Sequence, residues 1–227
     1  MTEDSDRLKQ AAAEAAVARV EEGMVVGLGT GSTASFAIQA LIRRVREGLN
    51  IVAIPTSERS AAMARDGGIR LTHFGEHPHL DLTIDGADQV DTQRLDLIKG
   101  MGGALLREKI VAAASRRLLI IVDESKLADR LSLPVPVEVT PFGWEATAAQ
   151  VQICGGTPVR RKNAAGEAFV TDGGGFILDC AFGPISDAAE LDRALRDIVG
   201  VVETGLFIGR AERVLVASAG GVRELCR

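Results

Sequence analysis

Asp85-Gly86-Ala87-Asp88, then Leu97-Ile98-Lys99-Gly100-Met101-Gly102-Gly103-Ala104, then Arg107-Glu108-Lys109, form the stretch around which this chain is organised. The run Leu80-Asp81-Leu82-Thr83-Ile84 ahead of it alternates as a half-buried strand does, which places Asp85 and Asp88 just past a strand end. A lysine, a glycine loop and a third carboxylate follow. Loops beyond the carboxyl ends of strands are where open α/β sheets bind ligands. Acids, a candidate base and a cation gathered there point to proton transfer on a small anionic substrate. Taken singly, the pieces also read as an Asp-Gly turn, a glycine loop and a solvated helix start.

Toward the amino terminus, residues from about Asp6 to Glu21 have the pattern of an alanine-rich helix with Leu8, Ala12, Ala15, Ala16 and Val20 near one face. Gly23 ends it, and Met24–Leu28 is a short buried strand. Gly29-Thr30-Gly31-Ser32-Thr33 then opens a helical pattern from Ala34 to Arg46. A strand, a Gly/Ser/Thr loop and a helix make an anion site, because free amides at the helix start point at the ligand. Gly29-x-Gly31-x-x-Ala34 also satisfies a loose dinucleotide fingerprint. That fingerprint wants a ribose-binding acid at the end of the next strand, and Ile51–Ile54 runs instead into Pro55-Thr56-Ser57. A phosphate site is the better reading.

Thr56 or Ser57 caps a helix reaching Asp66, which Gly67-Gly68 stops, and Ile69–Leu71 is the next strand. The only histidines, His73, His77 and His79, sit in a proline-containing loop without a fourth partner, so no metal site is expected. Beyond the organising stretch, Ala104–Ser115 is helical, with Glu108 near its start. The Arg116–Val122 strand leads into Asp123-Glu124-Ser125-Lys126, which puts Lys126 at another strand carboxyl end.

At Leu133-Pro134-Val135-Pro136 the texture changes. A strand at Val135–Thr140, a helix at Trp144–Cys154, a strand at Pro158–Lys162, extended segments at Phe169–Thr171 and Phe176–Cys180, a helix at Asp187–Asp197 and a strand at Val201–Leu206 follow. That β-α-β-β-α-β order is ferredoxin-like. Its polar residues read as turns and faces. The strand Arg213–Ala217 is expected to return to the first domain. The expected fold is therefore α/β: a Rossmann-like open sheet domain (1–131 with 208–227) carrying an inserted ferredoxin-like α+β domain (132–207).

A net charge of −5 argues against general affinity for nucleic acid or acidic membranes, so an anionic substrate needs local donors. No apolar run approaches the roughly 20 residues of a membrane span. The acidic start Met1–Asp6 does not read as a signal or transit peptide. Cys154, Cys180 and Cys226 form neither a disulfide framework nor a zinc spacing, which fits a reducing cytoplasm.

With these residues in view, the chain resembles type A ribose-5-phosphate isomerases nearly end to end. The resemblance is carried by Val26–Thr33, Ile84–Asp88, Lys99-Gly100-x-Gly102, Leu106–Lys109 and Asp123-x-Ser125-Lys126, with Pro136–Val139 and Thr171–Gly173 later. Met101 stands where that family often has glycine. The resemblance implies interconversion of ribose 5-phosphate and ribulose 5-phosphate through a cis-enediolate, in the non-oxidative pentose phosphate pathway, without metal or cofactor. It implies Glu108 as the base at carbon and Asp85 for ring opening and proton exchange at the oxygens. Lys99 with the Gly100, Met101 and Gly102 amides would stabilise the oxyanion, and Asp88 would orient substrate hydroxyls or Lys99. Thr30, Gly31, Ser32, Thr33, Gly86, Ala87 and Lys126 would bind substrate, with Lys9 a further phosphate contact. A cytoplasmic homodimer or homotetramer is expected.

Rival readings share parts of this pattern. Sugar-phosphate deaminases, lactonases and coenzyme A transferases have related architectures, and fold does not fix reaction. A transferase would use Glu108 as nucleophile but leaves Asp85, Asp88 and Lys99 unexplained. A non-catalytic sugar-phosphate sensor usually carries a DNA-binding appendage, for which this chain has no spare segment. A nicotinamide-dependent dehydrogenase lacks its ribose-binding acid.

Overall fold

In the computed structural model, which describes residues 3–227, the elements follow in the order α1 (Glu3–Val17), β1 (Val25–Leu28), α2 (Ser32–Arg46), β2 (Val52–Pro55), α3 (Glu58–Gly67), β3 (Arg70–Leu71), β4 (Leu82–Gly86), β5 (Gln89–Asp91), β6 (Leu97–Ile98), α4 (Leu105–Ala114) and β7 (Leu118–Asp123). There follow β8 (Leu127–Ala128), β9 (Val135–Val139), α5 (Trp144–Ile153), β10 (Thr157–Arg160), β11 (Phe176–Ala181), α6 (Ala188–Arg196), β12 (Val201–Thr204), β13 (Leu206–Phe207), β14 (Arg213–Ser218) and β15 (Gly221–Cys226). Met1 and Thr2, part of the acidic run read above, lie outside the described residues. No helix among the described residues is long and apolar enough to cross a membrane.

The chain divides into two compact units, residues 1–87 with 107–127 and 210–227, and residues 88–106 with 128–209. The expected division assigned 88–106 to the first domain. That stretch groups with the second unit because β5 and β6 join β13 and β8 in a small sheet of order β13-β6-β5-β8. These strands have two or three residues each, too few to alternate visibly.

The first unit is built on the sheet β15-β14-β7-β4-β1-β2-β3. Its strands β3, β2, β1, β4, β7 and β14 are parallel, and in chain order they repeat the 3-2-1-4-5-6 arrangement of a doubly wound sheet. All six residues of β7 are buried, as a parallel strand covered on both faces requires, and this explains the unbroken apolar run there. Helix α2 buries Ala34, Ala37, Ile38 and Leu41, an i, i+3, i+4, i+7 stripe. Ala37, Ile38 and Leu41 of that stripe form one core with Ala12, Ala13 and Ala16 of α1 and Leu28, Ile84 and Leu119 of the sheet.

Helix α1 stops at Val17, earlier than Glu21. The Arg44 guanidinium donates 2.7 Å bonds to the carbonyls of Val17 and Val20, satisfying chain-end acceptors that a longer helix would leave to its own amides. The residues that follow the expected Arg213–Ala217 strand form β15, antiparallel to β14. Their period is hidden by a strand exposed along most of its length.

The second unit carries the sheet β10-β11-β9-β12, antiparallel throughout, with α5 and α6 as crossovers. This is the ferredoxin-like arrangement. Val137 and Val135 stand directly opposite Leu178 and Cys180, and with Val139 they form a core closed by Val151 and Leu195. The expected strand Val201–Leu206 is broken at Gly205 into β12 and β13. Phe169–Thr171 contributes only the isolated bridge from Val170 to Phe176.

The β14–β15 hairpin is tied by charge to the turn that follows α1. Glu224 accepts from Arg19 at 2.6 Å and pairs with Arg213, and these two guanidinium bonds hold its carboxyl down to about 2 from an ordinary 4.5. A depressed folded-state value adds stability above the unfolded value, and that stability is lost as pH falls through the folded one. Glu224→Gln should therefore lower stability at pH 7 by about 1 kcal/mol or less, given the partial exposure of all three groups. Chemical denaturation of both proteins should show the difference shrinking as pH falls from 4.5 toward 2. A difference that grows on acidification would contradict this pairing.

Candidate active site

In a sheet of order 3-2-1-4-5-6 the ligand crevice opens at the carboxyl ends of the first and fourth strands, where the chain direction reverses. Here those ends are Leu28 and Gly86. The backbone leaving β1 passes so close to β4 that a Cβ on Gly29 would lie 2.1 Å from Asp85 Oδ1 and 2.6 Å from Asp85 Cα. Only glycine fits. Asp85 is 1% exposed and lies inside β4 rather than beyond it, a shift of two residues from the expected strand end. Its Oδ1 accepts from the Thr30 amide at 3.1 Å and from the Gly86 amide at 2.8 Å.

Helix α2 begins at Ser32, so Ser32 and Thr33 belong to its first turn instead of the preceding loop. Gly31 is the cap, without a side-chain bond, and no acidic residue occupies the first turn. The amide dipoles there face outward with no built-in anion, the arrangement that attracts phosphate. Thr33 lies beside the β4 end, its Cβ 3.8 Å from where a Cβ on Gly86 would stand. The Thr30 hydroxyl is engaged inward, 2.7 Å from Thr56 Oγ1, 2.8 Å from Ser57 Oγ and 3.2 Å from Ser60 Oγ. Thr56 and Ser60 also bond the carbonyls of Leu28 and Gly29. This hydroxyl cluster went unread apart from the Ser57 cap, whose hydroxyl oxygen accepts from the Ser60 amide as expected. It occupies the end of β2, where a dinucleotide site would keep its ribose acid.

Glu108 lies in the first turn of α4 and is 4% exposed. Its neighbour Arg107 pairs at 2.8 Å with Glu58 in the first turn of α3, and this tie brings the start of α4 to the same carboxyl-end edge of the sheet. Lys126 closes a short 3₁₀ turn after β7, with Asp123 accepting from the Ser125 amide at 3.0 Å. Lys9, on α1, is buried with its Nζ 3.4 Å from Asp6. Ala87 is half-buried and ends this unit's share.

Asp88 and Lys99–Gly102 belong to the second unit. Lys99 is 2% exposed, its amide bonds the Gly205 carbonyl at 2.9 Å, and its Nζ stands 5.4 Å from the centre of the Phe207 ring, a cation–π distance. Gly100 to Gly103 form one tight turn, closed by the Gly103 amide on the Gly100 carbonyl at 3.0 Å. Positive φ falls on Gly100 and Gly103 and not on position 101, which is why methionine is accommodated there. The Met101 amide donates to Asp88 Oδ2 at 3.0 Å. That amide is therefore committed to Asp88, and Asp88 orients the loop itself. Arg161, not singled out from sequence, donates through Nη1 to the carbonyls of Gly100 at 2.8 Å and Met101 at 3.1 Å. No local motif marks it. Among the described residues no cluster of three or more metal-ligating side chains occurs.

The fold is a Rossmann-like α/β sheet that brings two buried carboxylates, Asp85 and Glu108, to the edge where α2 starts. The sequence pattern of ribose 5-phosphate isomerase A (phosphoriboisomerase A) matches residues 52–221. Ribose-5-phosphate isomerase A of Gloeobacter violaceus is 58% identical, over 98% of this chain and 97% of its own. That of Synechococcus sp. (strain JA-3-3Ab) is 52% identical, over 97% of each. Among solved structures, ribose 5-phosphate isomerase A of Methanocaldococcus jannaschii is similar at a TM-score of 0.94 and 39% identity, covering 98% of this chain and 100% of its own. A D-ribose-5-phosphate isomerase in complex with phospho-erythronic acid is similar at 0.95 and 36% identity over the whole of both chains. The chain belongs to the ribose 5-phosphate isomerase A family, and it is an isomerase.

The closeness of Gly29 to Asp85 is open to a direct check. Gly29→Ala must push the β4 backbone or Asp85 aside, so it should cost roughly 1–3 kcal/mol as overpacking does. Turnover of the folded fraction should fall at least about tenfold, because Asp85 would lose its bond to Thr30. Denaturation together with steady-state kinetics would measure both; unchanged values would show that the approach is looser than described.

Proposed function

We propose that the chain interconverts D-ribose 5-phosphate and D-ribulose 5-phosphate through a cis-enediolate, with Glu108 moving the proton between C2 and C1. The observation that carries the residue roles is the pair of buried carboxylates, Asp85 on β4 and Glu108 on α4, at the carboxyl-end edge where α2 presents its amides. The reaction is redox-neutral overall: C2 loses a proton, C1 gains one, and the hydroxyl proton relocates between the two oxygens. It needs one base at carbon, one exchanger at oxygen and positive or N–H donors for the enediolate.

In this scheme Asp85 takes the ring hydroxyl proton as the sugar opens and later serves the O1–O2 exchange. The amides of Thr30 and Gly86 hold its Oδ1 in one direction. Glu108 removes the C2 proton, the electron pair moves through C2–C1 onto O1, and Lys99 stabilises the resulting negative charge. Glu108 then returns its proton to C1, leaving the ketone at C2. Asp88 acts through the glycine loop by holding the Met101 amide. Ser32 and Thr33 at the α2 start, with Gly31, receive the phosphate, and Lys126 and Lys9 add positive charge. No step asks for a metal or a redox cofactor.

The transferase, deaminase, lactonase and sensor readings gain nothing from the relatives, which are isomerases over nearly the whole chain. Cytoplasmic residence is supported by the three cysteines Cys154, Cys180 and Cys226, all free. A homodimer or homotetramer is supported by Phe142 and Val199 of the second unit, 95% and 93% exposed.

The test is conversion of ribose 5-phosphate with chelator present and no added cofactor. Wild type should turn over, and Glu108→Gln should lose at least about a hundredfold in kcat while still binding the sugar phosphate. An inactive wild type, or an active Glu108→Gln, would refute the assignment.

A further inference from the structure

The geometry points to Arg161 as a positioning residue for the reaction, acting from the ferredoxin-like unit by aiming the Gly102 amide of the glycine loop at the developing oxyanion. This rests on the isomerase reading and extends it to a residue that touches no substrate. One guanidinium nitrogen of Arg161, Nη1, reaches both the Gly100 carbonyl at 2.8 Å and the Met101 carbonyl at 3.1 Å. Both peptides are trans, so each N–H points opposite to its own carbonyl. With both carbonyls turned to Arg161, the amides of Met101 and Gly102 are turned the other way. The Met101 amide is met there by Asp88 at 3.0 Å. The Gly102 amide is aimed to the same side, as an oxyanion donor must be before charge develops.

Arg161 is itself held on three sides. Its Nε donates to Asp179 Oδ2 at 2.9 Å and its Nη2 to Asp179 Oδ1, a two-point pairing that fixes the plane of the guanidinium. Its Cζ lies 5.9 Å from the centre of the Phe169 ring, and Phe169 packs where a Cβ on Gly103 would meet it at 2.4 Å. The Arg161 backbone is fixed by its amide on Ile177 and its carbonyl under Phe169. The side chain is 14% exposed, so the cation polarises the two peptides in a partly shielded setting and strengthens their N–H groups as donors. Lysine cannot reproduce this. It lacks the planar fork that serves Asp179 and two carbonyls at once.

An oxyanion donor works only in the transition state, so misaiming it lowers kcat and kcat/KM together and leaves KM nearly unchanged. The experiment measures kcat and KM for ribose 5-phosphate in Arg161→Gln, Arg161→Lys and Asp179→Asn, each corrected for folded fraction by circular dichroism. Expected are a kcat lower by roughly 10- to 100-fold in Arg161→Gln, somewhat below the effect of deleting a donor outright. Arg161→Lys should be intermediate, and KM should stay within about twofold for all three. A double variant with Asp88→Asn should fall short of the product of the single effects, because both residues set the same loop. If Arg161→Gln does not fold, Arg161→Lys and Asp179→Asn carry the test. Wild-type kcat in the folded variants, or a rise in KM alone, would overturn the positioning role while leaving the isomerase reading intact. No turnover in the wild type would overturn both.

Discussion

The site depends on one close approach, the Gly29 backbone against Asp85. The parallel strands β1 and β4 are neighbours in register, Leu28 beside Ile84, so the chain leaving β1 must pass the next residue of β4. With no side chain on Gly29, the Thr30 amide reaches Asp85 directly. A buried carboxylate and the start of a helix are thereby locked to the same point of the sheet. Everything nearby follows from that: the Thr30 hydroxyl turns inward to the Thr56, Ser57 and Ser60 cluster, and the α2 amides are left facing outward. The switch point of the sheet order supplies the crevice, and the glycine decides what stands at its floor.

Much of this was legible in the chain because its elements are long and their periods clear. The buried run of β7, the α2 stripe and the β-α-β-β-α-β order of the second unit each carry enough residues for the pattern to show. Asp85, Glu108, Lys99 and the Gly29–Thr33 loop stood out because acids, lysine and glycines next to strand ends have a chemical reading. What escaped was short or non-local. Strands β5, β6 and β13 are pinned by partners far along the chain, so 88–106 could not be assigned to the second unit from its own residues. Asp88 read as a group orienting substrate hydroxyls or Lys99, and the bond its Oδ2 accepts from the Met101 amide had no mark in the sequence. Arg161 lies 60 residues from the Met101 carbonyl it bonds, with no motif around it.

In the proposed mechanism the second unit does more than close its own core. Pro136–Val139 and Thr171–Gly173, two of its recognisable segments, meet through the Thr171 hydroxyl on Glu138 at 2.6 Å, a buried bond that fixes the turn after Val170. The same region of sheet carries Arg161 and Asp179. A glycine turn has little conformational preference of its own, and its order is supplied by the groups that grip its carbonyls and amides. Met101 is tolerated within it because the left-handed positions fall on glycines either side.

The central claim is that a carboxylate carries a proton between adjacent carbons of a sugar phosphate. Isomerisation run to equilibrium in deuterium oxide tests it most directly, with the label at C1 of ribulose 5-phosphate read by NMR or mass spectrometry. A carboxylate that holds the proton between steps exchanges it with solvent, so deuterium should enter one C1 position, at a rate that Glu108→Gln abolishes. Deuterium entering C1 as fast in Glu108→Gln as in the wild type would contradict the account.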